Sequence, residues 1–280
     1  MKYAFLLLTT LGLVLISQTS LAQTTHDGRT NHIQGFGEAV EVANGNVFIG
    51  EPSNVQIPGA VYIFSKQEEE WTQKFAIKAE DGEVGDGFGS SLSAFGNLLM
   101  VGAPDKNDGV GGAYIFEESE EGSWSQLASL TVISDSSLSS IGSSVALAEG
   151  YAFVGIPSFG NGAIAVFKDV NGNYVQESMI INPDTSQTNF GYSLDYDGTN
   201  LVVGAPSRNA GAAYIFTIEN NEWISKATLS NSDLSERSLF AGEVALHGDM
   251  VFVTAQNQDK IGAVFIYKST EIPLSMVVHS

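Results

Sequence analysis

The sequence predicts an all-β protein, a β-propeller of four-stranded antiparallel blades, and three observations carry that prediction. One pattern recurs five times, starting at Phe36, Phe88, Ile141, Phe190 and Phe240, at spacings of 52, 53, 49 and 50 residues. A period of that size marks a solenoid, a propeller or an array. A tight glycine turn joins the first two apolar runs of every copy, at Gly45, Gly96, Gly150, Gly198 and Gly248. Four of the seven prolines, Pro52, Pro104, Pro157 and Pro206, close the second run, and all three tryptophans, Trp71, Trp124 and Trp223, open the fourth, where Tyr174 stands in the third copy.

Ahead of the repeats, residues 1–22 carry Lys2 as their sole charge, an apolar run from Ala4 to Ile16 and a small-residue ending, Ser20-Leu21-Ala22, before Gln23. That is the layout of a cleaved secretory signal, with an apolar run too short to span a membrane. Residues 23–35 then form a lead-in, and 36–280 form a single propeller domain.

Each repeat divides into four strand-length runs. In the second they are "SLSAF", "LLMVGAP", "GAYIF" and "SWSQLASL". The turn between runs one and two needs positive φ, which glycine adopts without steric cost, so these runs form a hairpin. Proline, lacking an N–H, stops the second strand without breaking a central ladder. Runs three and four are joined by acidic or Asn-Gly stretches such as "SKQEEE" and "KDVNGN". Small residues of strand one belong near a crowded axis, and the aromatics of strands three and four fill the wider rim. After the fifth Gly-Ala, "YKSTEIPLSMVVHS" supplies one last strand, Leu274 to Val278. Radial repetition leaves only short, protected edges. Five units favour a five-bladed ring, with an incomplete seven-bladed ring as the alternative.

The succession Phe-Gly, Gly-Ala-Pro and Gly-Ala-x-Tyr-Ile-Phe resembles the FG-GAP repeat of the integrin α-chain propeller. It is most similar to the bacterial extracellular version, whose Trp strand and Asp-Gly loop precede the next Phe-Gly, here "WTQKFAIKAEDGEVGDGFG" from Trp71 to Gly89. The resemblance covers residue 36 to about residue 270. It implies the propeller fold and, for function, adhesion receptors, carbohydrate-associated proteins or non-catalytic parts of enzymes. Integrin-like blades often carry a D-x-D-x-D-G calcium loop between strands one and two. This chain has tight turns there, the nearest approach being Asp195, Asp197 and Gly198, so the family's calcium sites are not carried over.

Composition narrows the function. There is no cysteine, hence no disulfide, thiol site or cysteine for lipid attachment. The formal net charge is −20; without Lys2, eleven basic against 32 acidic side chains leave −21. So acidic a chain is a poor partner for nucleic acid or an anionic membrane surface.

The four histidines, His26, His32, His247 and His279, have no metal spacing, and no nucleophile elbow or phosphate loop is present. No catalytic, cofactor or metal residue is therefore assigned. The loop Asp105 to Gly112, with Asp105, Asn107 and Asp108, reads as an exposed turn, with a calcium clip as the alternative. Glu41, Asp195 and Glu243 come from strand one of three blades and are expected at the central channel, hydrated or around a cation. The loops of the ligand-facing side are polar, and only Phe159 and Phe240 lie near them as aromatic platforms for a sugar, which places protein partners ahead of glycans.

The expected function is that of a secreted or periplasmic bacterial protein, a non-enzymatic interaction or adhesion module, monomeric if the ring is closed. The alternative is an extracellular carbohydrate-binding or polysaccharide-active protein, a hydrolase or lyase, with its site in the face loops.

Overall fold

The computed structural model describes residues 35–268, apart from 54–56, 135–136, 187, 208–210, 232, 235–237 and 257–261, together with the backbone of Val277–Val278. The signal sequence expected at 1–22 and nearly all of the lead-in lie outside the described residues.

Five antiparallel meanders follow one another around a ring, a five-bladed β-propeller. The first blade is β1 (Val40–Ala43), β2 (Asn46–Glu51), β3 (Ala60–Gln67) and β4 (Glu70–Ile77), hydrogen-bonded in that order. The second is β5 (Ser91–Phe95), β6 (Leu98–Ala103), β7 (Gly112–Glu118) and β8 (Trp124–Leu130); the third is β9 (Val145–Ala148), β10 (Tyr151–Ile156), β11 (Ala163–Val170) and β12 (Asn173–Ile181). The fourth is β13 (Ser193–Tyr196), β14 (Asn200–Ala205), β15 (Ala212–Glu219) and β16 (Glu222–Leu229). The fifth holds three strands among the described residues, β17 (Phe240–His247), β18 (Met250–Ala255) and β19 (Ala263–Lys268).

The end of the chain departs from expectation. Leu274 to Val278 was expected to complete the fifth blade, but β20 (Val277–Val278) pairs in parallel with Thr228 and Leu229 of β16, on the outer edge of the fourth. The physical reason is that an outermost strand offers an unpaired ladder edge that a β-branched pair can extend. Residues 274–276 lie outside the described ones.

The expected hairpins are present, with positive φ at all five turn glycines. The second strands of blades one to four are buried nearly throughout, that of blade five only at every other residue, and fourth strands alternate, as an outer strand with one wet face must. Between strands three and four a register shift recurs at the same place in four blades, at Ile63/Phe64, Ile115/Phe116, Val166/Phe167 and Ile215/Phe216. Such a bulge increases local twist, and twist spreads the outer strands around the rim.

The core lies between blades rather than within them. Four hydrophobic clusters join blade one to two, two to three, three to four and four to five. Each tryptophan expected at the rim faces the preceding blade where its contacts are described: Trp124 meets Phe48 edge-on at 5.5 Å between centroids, and Trp223 meets Phe153 at 5.1 Å.

The Phe-Gly pair plays two parts. Its phenylalanine packs on strand three of its own blade, as Phe190 does against Tyr214 and Phe216 at 5.4 and 5.9 Å. The following residue lays its backbone on the preceding blade. A Cβ placed on Gly50, Gly102, Gly155 or Gly204 would stand under 3.0 Å from the carbonyl oxygen of Gly89, Gly142, Gly191 or Ala241, respectively. The glycine of each Gly-Ala-Pro motif, or of its Gly-Glu-Pro and Gly-Ile-Pro variants, is thus the floor on which the next blade sits.

Candidate functional site

Strand one of each blade lines the axis, and the three carboxylates expected there behave differently. Glu41 and Asp195 hold the same repeat position in blades one and four. Burial pushes the Glu41 carboxyl above its usual range; the Val42 N–H opposes this at 3.0 Å, and the charge of Asp195 reinforces it. Asp195 is also raised by burial, against the backbone N–H groups of Leu246 at 2.6 Å and Tyr196 at 2.8 Å that donate to it. Through Leu246, Asp195 ties blade four to blade five. Ser93, at the same position in blade two, accepts from Leu147 N–H of blade three in the same way. Glu243 sits two residues earlier in its own repeat; it is exposed, and partial desolvation raises its carboxyl. Of the three, Asp195 is an interblade acceptor, whereas Glu41 accepts from the neighbouring N–H of its own strand. No group of three or more His, Asp or Glu among the described residues is placed to hold a metal ion.

A second cluster lies where the first blade hands over to the second. Tyr114 donates from its hydroxyl to Asp81 at 2.8 Å; the Lys106 ammonium lies 3.1 Å from Asp81 and 3.5 Å from Asp86, and stands over the Tyr114 ring at 5.8 Å. Burial works against the charge on Asp81, but the hydrogen bonds from Tyr114 and Lys106 outweigh it and hold the carboxyl below its usual range. Burial pushes the Tyr114 hydroxyl up to about 12, the acceptor Asp81 adding to this and Lys106 opposing it. Asp105, Asn107 and Asp108 are exposed, in the turn expected of this loop. Asn107 and Asp108 take positive φ of 52° and 58° in a one-turn segment, and the glycines after them pair with blade three, Gly109 accepting from Ser140 N–H at 2.9 Å. The cation beside this loop is the protein's own lysine. A sequence signal existed: Lys106-Asn107 after one Gly-Ala-Pro recurs as Arg208-Asn209 after another.

Of the two aromatics expected near the face loops, Phe240 offers no platform. Phe240 is fully buried and meets Phe265 edge-on at 5.7 Å, and Phe159, half-buried, packs against the cluster between blades two and three. His247 lies exposed at the end of β17. A cleft of about 420 Å³ opens between blades four and five on the side of the first hairpin turns, bordered by Asp197, Asn200, Leu246 and Met250, with the Lys226–Glu219 ion pair at its wall. Asp197 there is occupied by the N–H groups of Thr199 and Asn200 at 2.8 and 2.7 Å.

The seam between the fifth blade and the first differs from the other interfaces. Among the described residues no hydrophobic cluster spans it. Val264 and Ile266 of β19 are 60 % and 59 % exposed, and Val40 and Val42 of β1 are 53 % and 64 % exposed. The positions matching Val264 and Ile266 are Val61 and Ile63, Ala113 and Ile115, Ile164 and Val166, Ala213 and Ile215, and all eight are buried. The seam therefore has an exposed apolar face on each side.

This geometry, radial four-stranded units with a Phe-Gly edge seated on a glycine floor, defines the class as a repeat propeller. The family model for the FG-GAP repeat matches residues 71–116 and 174–216, and the chain carries FG-GAP repeats. Both matches begin at a fourth-strand aromatic, Trp71 or Tyr174, and end at a third-strand phenylalanine, Phe116 or Phe216. Among solved structures, the chain is similar in fold to a protein of Bacteroides fragilis provisionally named a 6-phosphogluconolactonase, at 9 % identity and a TM-score of 0.50, over 85 % of this chain and 82 % of that one. No curated protein matches the sequence.

Proposed function

We propose that this FG-GAP propeller is a secreted or periplasmic interaction module that binds a protein partner rather than transforming a substrate. The observation that carries the reading is the pair of apolar faces at the seam, Val40 and Val42 on one side and Val264 and Ile266 on the other, left exposed on a chain of net charge −20. Exposed contiguous apolar surface on an otherwise charged protein marks a site of association. The leader at residues 1–22 and the extracellular habit of FG-GAP repeats support export.

The test has two arms. Mass spectrometry of the protein from its native envelope or medium is expected to find a chain beginning at Gln23, and retention of Met1 would end the export reading. Affinity capture with the mature chain is expected to bring down a partner that a Val264→Asp, Ile266→Asp bait loses, and equal capture by both baits would remove the seam from the proposal.

A further inference from the structure

In four blades the second strand carries glycine where the next blade lands, at Gly50, Gly102, Gly155 and Gly204. The fifth carries Thr254, paired across the sheet with Val264 as those glycines pair with Val61, Ala113, Ile164 and Ala213. Its hydroxyl is turned back on its own blade, accepting from Glu243 N–H at 2.9 Å. In blades two, three and four the residue at the place of Glu243 is a serine whose hydroxyl donates to the next blade: Ser91 to Gly142 O at 2.9 Å, Ser144 to Gly191 O at 2.7 Å, Ser193 to Ala241 O at 3.4 Å. The fifth blade has thus lost both the floor and the latch. It keeps the third-strand glycine, Gly262, on whose counterparts Gly59, Gly162 and Gly211 the next phenylalanine's carbonyl lies. The change is confined to the contact that admits a Phe-Gly backbone.

We infer that Thr254 keeps the ring open at one seam: its Cβ stands where the Gly37 carbonyl of the first blade would otherwise seat, so the chain's own Phe36-Gly37 edge cannot close onto the fifth blade. A β-carbon at a position where all four counterparts place a carbonyl under 3.0 Å away leaves no room for that seating. The inference concerns this chain's own first blade and stands whether or not the seam binds a partner.

The experiment compares the full mature chain with Thr254→Gly and Thr254→Ala, by carbene or hydroxyl-radical labelling of Val40, Val42, Val264 and Ile266, with sedimentation run alongside. Alanine removes the hydroxyl and keeps the Cβ; glycine removes both. The expected result is several-fold lower labelling at these four positions in Thr254→Gly alone, at monomer mass, with Thr254→Ala labelled like the unaltered protein. The inference is overturned if the unaltered seam is already as protected as Val61 and Ile63, if alanine protects as well as glycine, if glycine leaves labelling unchanged, or if protection appears only in an oligomer.

Discussion

The junction of blades three and four and the seam of blades five and one are built from the same register of the same repeat, yet one is a core and the other a surface. At the first, Phe190 is fully buried among Ile164, Val166, Tyr214 and Phe216, Gly155 admits the Gly191 carbonyl, and Ser144 donates to that carbonyl. At the second, Thr254 and Glu243 replace the glycine and the serine, and Val264 and Ile266 remain in solvent. The difference teaches that hydrophobic complementarity between blades is not sufficient. Two apolar faces lie on either side of the seam, but the backbone contact that would bring them together is barred by one β-carbon.

The largest test of that comparison is Phe190→Ala. It removes a ring with no exposed surface from between two blades, so a loss of about 3–5 kcal/mol is expected from denaturant unfolding. A loss under about 1 kcal/mol would mean that the three–four junction is not the packed core described. Next comes Gly155→Ala. The new methyl would fall on both the Ser144 hydroxyl and the Gly191 carbonyl, and overpacking of this kind costs about 1–3 kcal/mol. An unchanged midpoint would undo the account of the glycine floor, and with it the reason given for the open seam.

A smaller effect is expected from acid. Glu41, Asp195 and Glu243 all have carboxyl pKa values raised in the folded state by desolvation. A raised carboxyl binds more protons folded than unfolded, so stability falls as pH rises from the ordinary carboxylate range through the raised values. Asp81, whose pKa is lowered, acts in the opposite sense at lower pH: its contribution is present above the ordinary value and is lost as pH falls through the folded one. Asp195→Asn should therefore flatten the upper part of a melting-temperature profile against pH while leaving the acid limb in place. An identical profile would show that the ties from Asp195 to Leu246 and Tyr196 are not titrating there.

Most of the fold was legible because repetition multiplies weak signals. A single Phe-Gly or a single proline says little, but Pro52, Pro104, Pro157 and Pro206 in register fix where strands end, and the turn glycines fix the hairpins. The fifth blade was the least legible for the same reason: after Tyr267 the repeat no longer has counterparts to check against, and Val277–Val278 pairs with β16 instead of β19. The candidate site was harder to read. Glu41 and Asp195 were placed at the axis by strand phase alone, which is local. The Asp81–Lys106–Tyr114 cluster joins the loop after one blade to two parts of the next, and an ion pair formed across a blade boundary leaves no period in the sequence. Thr254 was visible as a departure from Gly-Ala-Pro, but its meaning depends on which backbone atom faces it, and that is known only from packing.

The smallest expected effect lies at the seam itself. Val264→Ala and Ile266→Ala remove the same kinds of groups that, at the matching Val61 and Ile63, are enclosed by a neighbouring blade. Because the side chains of Val264 and Ile266 are 60 % and 59 % exposed, truncation returns little surface from a dry to a wet environment and leaves no cavity. Surface substitutions of this sort usually change stability by about 0.5 kcal/mol or less. Val61→Ala and Ile63→Ala, measured beside them, should cost about 2–4 kcal/mol each, on the scale of deleting buried aliphatic groups. The ratio between matched positions is more informative than either value, since sequence position and strand register are held constant and only the neighbouring blade differs. If truncation at blade five costs as much as at blade one, the isolated protein has closed its seam and Thr254 does not keep it open. If the costs stay far apart, the apolar faces contribute little to holding the ring together, which leaves them free for association.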